Sequence, residues 1–461
     1  MASWDAMMYK KRIYEARLLF EGAVVGAVTG AVVSAFRWLL DLSVELRRWV
    51  YAWGGDSLPI FFLWFSFLIL LAWLLGWIVR KEPLSGGSGI PQVKGILLEK
   101  TKMRGVRVLC FKFLGAVLGI GAGLSLGRQG PSVQFGACIG QGISRLWKRP
   151  GHVMERNMIT AGAGAGLAAA FNAPLAGVVF CMEELAPGFS AIQVLSGIMA
   201  AAVSTVVSQV IFGSRPVFHL GEFPQIPLGS EYFVFLFFGI FCGFFGLLFN
   251  RGLMYSLGIY DRLPLKGGAK MLPAFLLAGI LGFFLPEILG GGNTLVDELL
   301  VTDYDIFFLL LLLVGKYFFT LICFGSGAPG GIFLPMMALG ATAGAIFAKV
   351  ALSMGWMDPA LAPCCIVFGM AGYFAGAVKS PVSSSILIME LTGSFSHMLI
   401  LLCISISACL VLDMLKVTSD DSIFTEDHII FLAGRYRSFL LKQRYYTDLK
   451  KQIPESNYQT L

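Results

Sequence analysis

The sequence predicts an all-α protein that crosses a membrane many times and is built as two repeated halves whose helices break inside the membrane. Three observations carry that prediction. The 461 residues are 57% hydrophobic and only 14% charged, with a mean hydropathy of +0.76, which excludes an ordinary soluble enzyme. Fifty-five glycines are too many for plain spanning helices but suit close helix packing and interrupted helices. The third observation is a repeat. Gly127-x-x-Gly130 with Gly140 matches Gly327-x-x-Gly330 with Gly340 at an offset of 200, and Ala170, Pro174, Met182 and Glu183 match Ala377, Pro381, Met389 and Glu390 at an offset of 207. Broken helices repeated in two halves mark a transporter whose binding site lies where the breaks meet.

Residues 1–17 are polar and read as a cytoplasmic N-terminal segment, because Lys10, Lys11, Arg12 and Arg17 precede the first apolar run. A first membrane repeat is expected over 18–212, a connecting loop over 213–230, a second repeat over 231–415 and a cytoplasmic tail over 416–461. Within the first repeat, spans are expected at 18–42 and 59–79, then a glycine-rich break at 85–91 before a short amphipathic piece, then an apolar run at 106–126. In the second half, apolar segments lie near 231–256, 271–289, 305–324 and 398–415, with a second choppy region over 325–392. The net charge of +7 is assigned to cytoplasmic loops, and no nucleic-acid partner is expected. Nine cysteines sit mostly in apolar runs without histidine at ligand spacing, so buried thiols are expected and neither a metal site nor a disulfide framework; no cofactor is expected. His152, His219, His397 and His428 are scattered and receive no role.

The chain is organised around Gly123-Leu-Ser-Leu-Gly-Arg-Gln-Gly-Pro-Ser-Val-Gln-Phe-Gly136. It reads as an extended peptide turning into a helix at membrane depth. A helix N-terminus offers unpaired N–H groups and a partial positive charge to a small anion. Irregular backbone at that depth must be buried in protein or line a cavity. On this stretch alone a glycine-rich packing corner is an equal reading, and the repeat favours the anion.

Gly87-Ser-Gly-Ile-Pro91, Gly127-Arg-Gln-Gly-Pro131 and Gly331-Ile-Phe-Leu-Pro335 closely resemble, in order and spacing, the three anion-pathway signatures of the CLC chloride channel and transporter family. Phe171-Asn-Ala-Pro-Leu-Ala-Gly177 and the Glu183-Glu184 pair also look like family features. The resemblance runs from the first membrane segment to about residue 425. It implies a CLC-type fold of two inverted-topology repeats with broken helices meeting at mid-membrane, one chloride pore per subunit, and a homodimer. It further implies a multi-pass protein of the cell membrane, as in a prokaryotic inner membrane, with both termini cytoplasmic. The C-terminal regulatory domains of other members are not expected in this chain.

By resemblance, chloride would be held by Ser88, Gly89 and Ile90, by Arg128, Gln129 and Gly130, and by Ile332, Phe333 and Leu334, with main-chain N–H groups as donors in the last set. Ser88 also fits a plain N-cap, and the two roles are compatible. Gln129 stands where most members have a gating glutamate. It matches the size of protonated Glu but does not titrate, so it can be neither an anionic plug nor a proton carrier; it also fits a residue that merely fills volume and bonds to backbone. Glu184 falls at the exchangers' inner proton-transfer position and is alternatively a buried structural acid. Glu183 and Glu390 read as structural. Ser422-Ile-Phe424 would put Phe424 where members commonly carry a chloride-contacting tyrosine. Lys94 stands where some exchangers carry an acid; it could raise local anion concentration, but a snorkelling lysine is the preferred reading. Arg128 either adds positive potential or pairs at the rim. Met182 and Met398 resemble dimer-interface positions.

The expected function is therefore chloride transport with proton coupling lost or weakened by Gln129. The alternative is a proton-coupled antiporter in which Gln129 is an introduced substitution or another carboxylate carries the proton. The family's fluoride-selective branch departs from the Gly-Ser-Gly-Ile-Pro signature kept here and ranks low. No catalytic pair with sensible spacing supports a membrane enzyme.

Overall fold

Inside a bilayer every backbone N–H and C=O must pair within the protein, and helices meet that demand segment by segment. The computed structural model describes residues 2–54, 57–147, 152–185, 191–218 and 229–415, almost all of them helical. The first half contains α1 (Ala2–Gly54), α2 (Leu58–Lys81), α3 (Ile90–Leu97), α4 (Gly105–Gly121), α5 (Gln129–Leu146), α6 (His152–Phe171), α7 (Pro174–Phe180), which runs into a π turn at Cys181–Leu185, and α8 (Ala191–Phe212). The second contains α9 (Ser230–Arg262), α10 (Gly268–Phe284), α11 (Asn293–Val301), α12 (Ile306–Gly325), α13 (Phe333–Ser353), α14 (Ala362–Val378), α15 (Pro381–Thr392) and α16 (Met398–Met414). Among the described residues, eight helical stretches are long and apolar enough to cross a membrane, whereas α3, α7, α11 and α15 have only 8, 7, 9 and 12 residues, too few to cross one.

Two expectations change. The first helix does not stop at 42; no residue from 43 to 53 breaks it, and it runs to Gly54. The stretch after 289, which the apolar pattern left unassigned, forms α11 behind a turn of three glycines.

The halves are related by a two-fold operation, visible in reciprocal contacts between equivalent residues. Gly127 N–H donates to Gly331 O at 2.6 Å and Gly331 N–H donates to Gly127 O at 2.8 Å. Gly87 N–H donates to Gly327 O, and Gly290 N–H to Gly123 O. Glu183 accepts from Val382 and Ser383 N–H at the start of α15, and Glu390 accepts from Leu175 and Ala176 N–H at the start of α7. Both acids are therefore structural, as expected, and each caps a helix of the opposite half.

These contacts also correct the register of the repeat. The offset of 207 places Pro174 and Pro381 alike at the first position of α7 and α15. Upstream, the equivalence is 204 rather than 200, pairing Gly123 with Gly327, Gly127 with Gly331 and Pro131 with Pro335. It also pairs Gly136, closed against Gly162, with Gly340, closed against Gly369. The error is one helical turn, because both segments repeat glycine every fourth residue.

Glycine lets helix backbones touch. Gly22 and Gly26 of α1 abut the Ser196 and Ala200 carbonyls of α8, as Gly239 and Gly243 of α9 abut those of Ile404 and Ala408 of α16. The outer surface stays apolar, with Phe62, Leu63, Val210, Phe233 and Leu410 all exposed, which suits hydrocarbon rather than water.

Candidate anion site

The site is built from three places where helices begin. Gly87 and Gly89 take φ of +64° and +106°, values open to glycine, and turn the chain sharply into α3. Gln92 closes this turn: its Oε1 accepts from Gly89 N–H at 2.9 Å and its Nε2 donates to Gly86 O at 2.8 Å. The Gly87 carbonyl accepts from Lys112 Nζ on α4 at 2.5 Å and from Gly330 N–H at 3.0 Å. The α5 and α13 entries meet through the Gly127–Gly331 bridge. A Cβ on Gly130 would overlap the Ser88 carbonyl and lie 2.6 Å from Ser88 Oγ, and one on Gly331 would lie 2.8 Å from Gly130 N. The N-termini of α3, α5 and α13 thus converge within the width of one side chain, and each brings unpaired N–H groups and a partial positive charge.

The polar side chains at this junction are buried and unsatisfied. Ser88 is 2% exposed and Gln129 0%. Among the described residues, Ser88 Oγ and both amide atoms of Gln129 have no hydrogen-bond partner. Leaving a buried polar group unpaired costs about 1–3 kcal/mol, so three such atoms at convergent helix N-termini mark a place where an ion or water completes the bonding.

Two structural alternatives fall here. Ser88 is not the cap of α3, because Gly89 holds that position and Gln92 supplies the bonds. The Gln129 side chain bonds to no backbone group among the described residues; its Oε1 lies against Gly127, whose lack of a side chain makes the space. The other expected residues are placed individually. Gly89 N–H is committed to Gln92, while Ile90 opens α3 and is fully buried. Ile332 caps α13, Phe333 opens it, and the Phe333 ring packs edge-on against Phe180 and Phe374 at 5.5 and 4.7 Å. Leu334 turns its side chain toward Gly291 and Gly127. Arg128 is buried at the N-cap of α5 and makes no ion pair among the described residues, so it does not pair at an exposed rim; Arg37 and Asp41 of α1 are the charges that act on it. Phe424 lies outside the described residues. Met182 is exposed and Met398 half-buried.

At the far end of α3 the structure overturns the reading of Lys94 as a snorkelling lysine. Its Nζ lies 2.7 Å from Glu184 Oε1, and Ser380 Oγ donates to Glu184 Oε2 at 3.1 Å. Lys94 is therefore a neutralised partner and not a free cation at the mouth. The π turn Cys181–Leu185 holds Glu184, and extra-residue turns of this kind recur at functional sites.

Sequence reasoning passed over two residues that build the site's frame. Lys112 and Lys316 are fully buried, and Lys316 Nζ donates to Ile288 O at 2.8 Å and Gly290 O at 2.6 Å. A lysine in the middle of an apolar run was the available signal. Among the described residues, no group of three or more His, Cys, Asp or Glu could hold a metal ion.

A family model described as a voltage gated chloride channel matches residues 67–413. A model described as phage tail ring protein 2 also matches 409–461, nearly all of it beyond the described residues. The H(+)/Cl(-) exchange transporter ClcA of Vibrio cholerae is 35% identical over 409 residues, covering 86% of each chain. That of Citrobacter koseri is 34% identical, covering 86% of this chain and 85% of the relative. Among solved structures, a slow cyanobacterial Cl-/H+ antiporter superposes with a TM-score of 0.82 at 31% identity, covering 91% of this chain and 98% of that one. A CLC-type fluoride/proton antiporter shares the fold, with a TM-score of 0.73 at 22% identity over 89% of this chain and 97% of that one.

Proposed function

The chain belongs to the CLC family of chloride channels and transporters, and we propose that it carries chloride across a cell membrane with proton coupling lost or weakened at Gln129. The observation that carries this reading is the trio of unpartnered polar atoms, Ser88 Oγ and the two amide atoms of Gln129, buried where three helix N-termini converge. A dehydrated chloride there would accept from the Ser88 hydroxyl, from main-chain N–H groups of Ile90, Ile332 and Phe333, and from the Gln129 amide beside Gly130. Neutral donors replace part of the hydration shell without trapping the ion as a fixed cation would. Buried Arg128 adds positive potential behind α5, and Leu334 closes the side facing the second half. Gln129 offers an N–H to the anion but no negative charge to compete with it and no proton to pass on.

The relatives' names support ion exchange, and they also sustain the alternative reading, a proton-coupled antiporter in which another carboxylate serves. The proposal includes one pore per subunit in a homodimer, for which the exposed apolar side chains Leu175, Met182, Val382 and Leu399 offer a face. It places repeats at 18–212 and 231–415, a joint at 213–230, and segments 1–17 and 416–461 in the cytoplasm of a prokaryote. No cofactor takes part.

The test uses purified protein in liposomes under a chloride gradient, with chloride efflux and external pH recorded together, with and without a protonophore. Chloride loss without proton movement is expected. Protons moving in fixed ratio with chloride would establish the coupled alternative, and absence of chloride flux would sink both.

A further inference from the structure

The inner carboxylate is held as firmly as the outer amide is unresponsive. Glu184 Oε1 is 2.7 Å from Lys94 Nζ, and Oε2 accepts from Ser380 Oγ at 3.1 Å. The side chains are 20% and 10% exposed, so water screens the pair only weakly. A proton arriving at Glu184 would neutralise the carboxylate and leave the largely buried Lys94 ammonium without its counter-charge, which is the expensive way to break an ion pair. The neighbouring acid offers no substitute, because both oxygens of Glu183 accept from the first N–H groups of α15. The partners also come from three separate elements: Lys94 from α3, Glu184 from the π turn, and Ser380 from the N-cap of α15 in the other half. The pair therefore sits in a frame built by both repeats and not on one mobile side chain.

We propose that Lys94 fixes Glu184 as a permanently paired carboxylate and thereby closes the inner end of any proton route, independently of Gln129. The inference rests on the reading of Glu184 as the position where an inner proton carrier would stand. Lys94 acts through Glu184 and is a positioning residue. It follows that a glutamate restored at position 129 does not by itself restore coupling.

The experiment measures the reversal potential of chloride current, under an imposed proton gradient, in liposomes holding full-length protein. In Gln129→Glu the reversal potential is expected to stay at the chloride equilibrium value. In Gln129→Glu with Lys94→Gln it is expected to move with the proton gradient, and in Gln129→Glu with Lys94→Arg to stay at the chloride value. A shift in Gln129→Glu alone as large as in the Lys94→Gln double variant overturns the proposal, and so does chloride current without a shift in that double variant. Absence of chloride current from the unaltered protein would instead remove the chloride reading on which the proposal stands. Should the Lys94→Gln protein fail to fold, infrared spectra of the unaltered protein decide. A carboxylic-acid band present at neutral pH and lost in Glu184→Gln would overturn the proposal, and its absence would uphold it.

Discussion

The turn before α3 and the turn before α11 have the same backbone. Gly87 and Gly290 adopt φ of +64° and +62°, Gly89 and Gly292 +106° and +99°, and a buried lysine from the next helix, Lys112 or Lys316, donates to the carbonyl of Gly87 or Gly290. The side chains around these matching turns diverge. In the first, Ser88 faces Gly130, and the missing side chain leaves the hydroxyl free beside a helix N-terminus. In the second, the equivalents are Gly291 and Leu334, and Leu334 Cβ lies 3.3 Å from where a Cβ on Gly291 would stand. One half keeps a polar hollow and the other fills it with leucine. The same asymmetry sets Gln129 opposite Phe333, Lys94 opposite Asp297 and Glu184 opposite Leu391. Two-fold symmetry supplies the frame, and the candidate site is where the symmetry is broken.

Filling the polar hollow should have the largest effect. Gly130→Ala would press a methyl against the Ser88 carbonyl, and chloride efflux is expected to fall to that of protein-free liposomes, with a stability loss of about 1–3 kcal/mol from overpacking. Gly142→Ala on the same helix, where nothing lies within 4 Å, should leave efflux unchanged; equal loss in both would deny the hollow its role. The two lysines sharpen the comparison. Lys112→Met removes one of the two donors to the Gly87 carbonyl and Lys316→Met removes a donor from the Ile288 and Gly290 carbonyls, and each should cost about 1–3 kcal/mol in detergent unfolding. Only Lys112→Met is expected to slow efflux, because its carbonyl adjoins Ser88. The smallest effect belongs to the caps, where Glu183→Gln and Glu390→Gln should each lower stability by about 0.5–2 kcal/mol. Unfolding losses differing by more than about 1 kcal/mol would break the equivalence of the two halves at that pair.

Much of this was legible before any coordinates. The glycine-bearing breaks at 87–91, 127–131 and 331–335 stand out because apolar segments have no local reason to interrupt themselves, and Ser88 and Gln129 are conspicuous as polar residues within them. The register of the repeat was less legible: glycine every fourth residue makes alignments one helical turn apart look alike, and only the Gly127–Gly331 bridge distinguishes 204 from 200. Lys94 illustrates the same limit. Its sequence neighbours describe a lysine near the end of a short amphipathic helix, and nothing local announces an acid 90 positions away.

What the sequence determined by itself is whatever follows from local composition and spacing: a membrane protein, broken helices, a duplicated plan and a neutral amide at position 129. Tertiary structure alone decided which groups meet. The convergence of three helix N-termini, the reciprocal caps of Glu183 and Glu390, and the capture of Glu184 by Lys94 and Ser380 all join residues tens to hundreds of positions apart. Those pairings depend on how closely helices approach, and that approach is set by glycine contacts between backbones that no single segment contains.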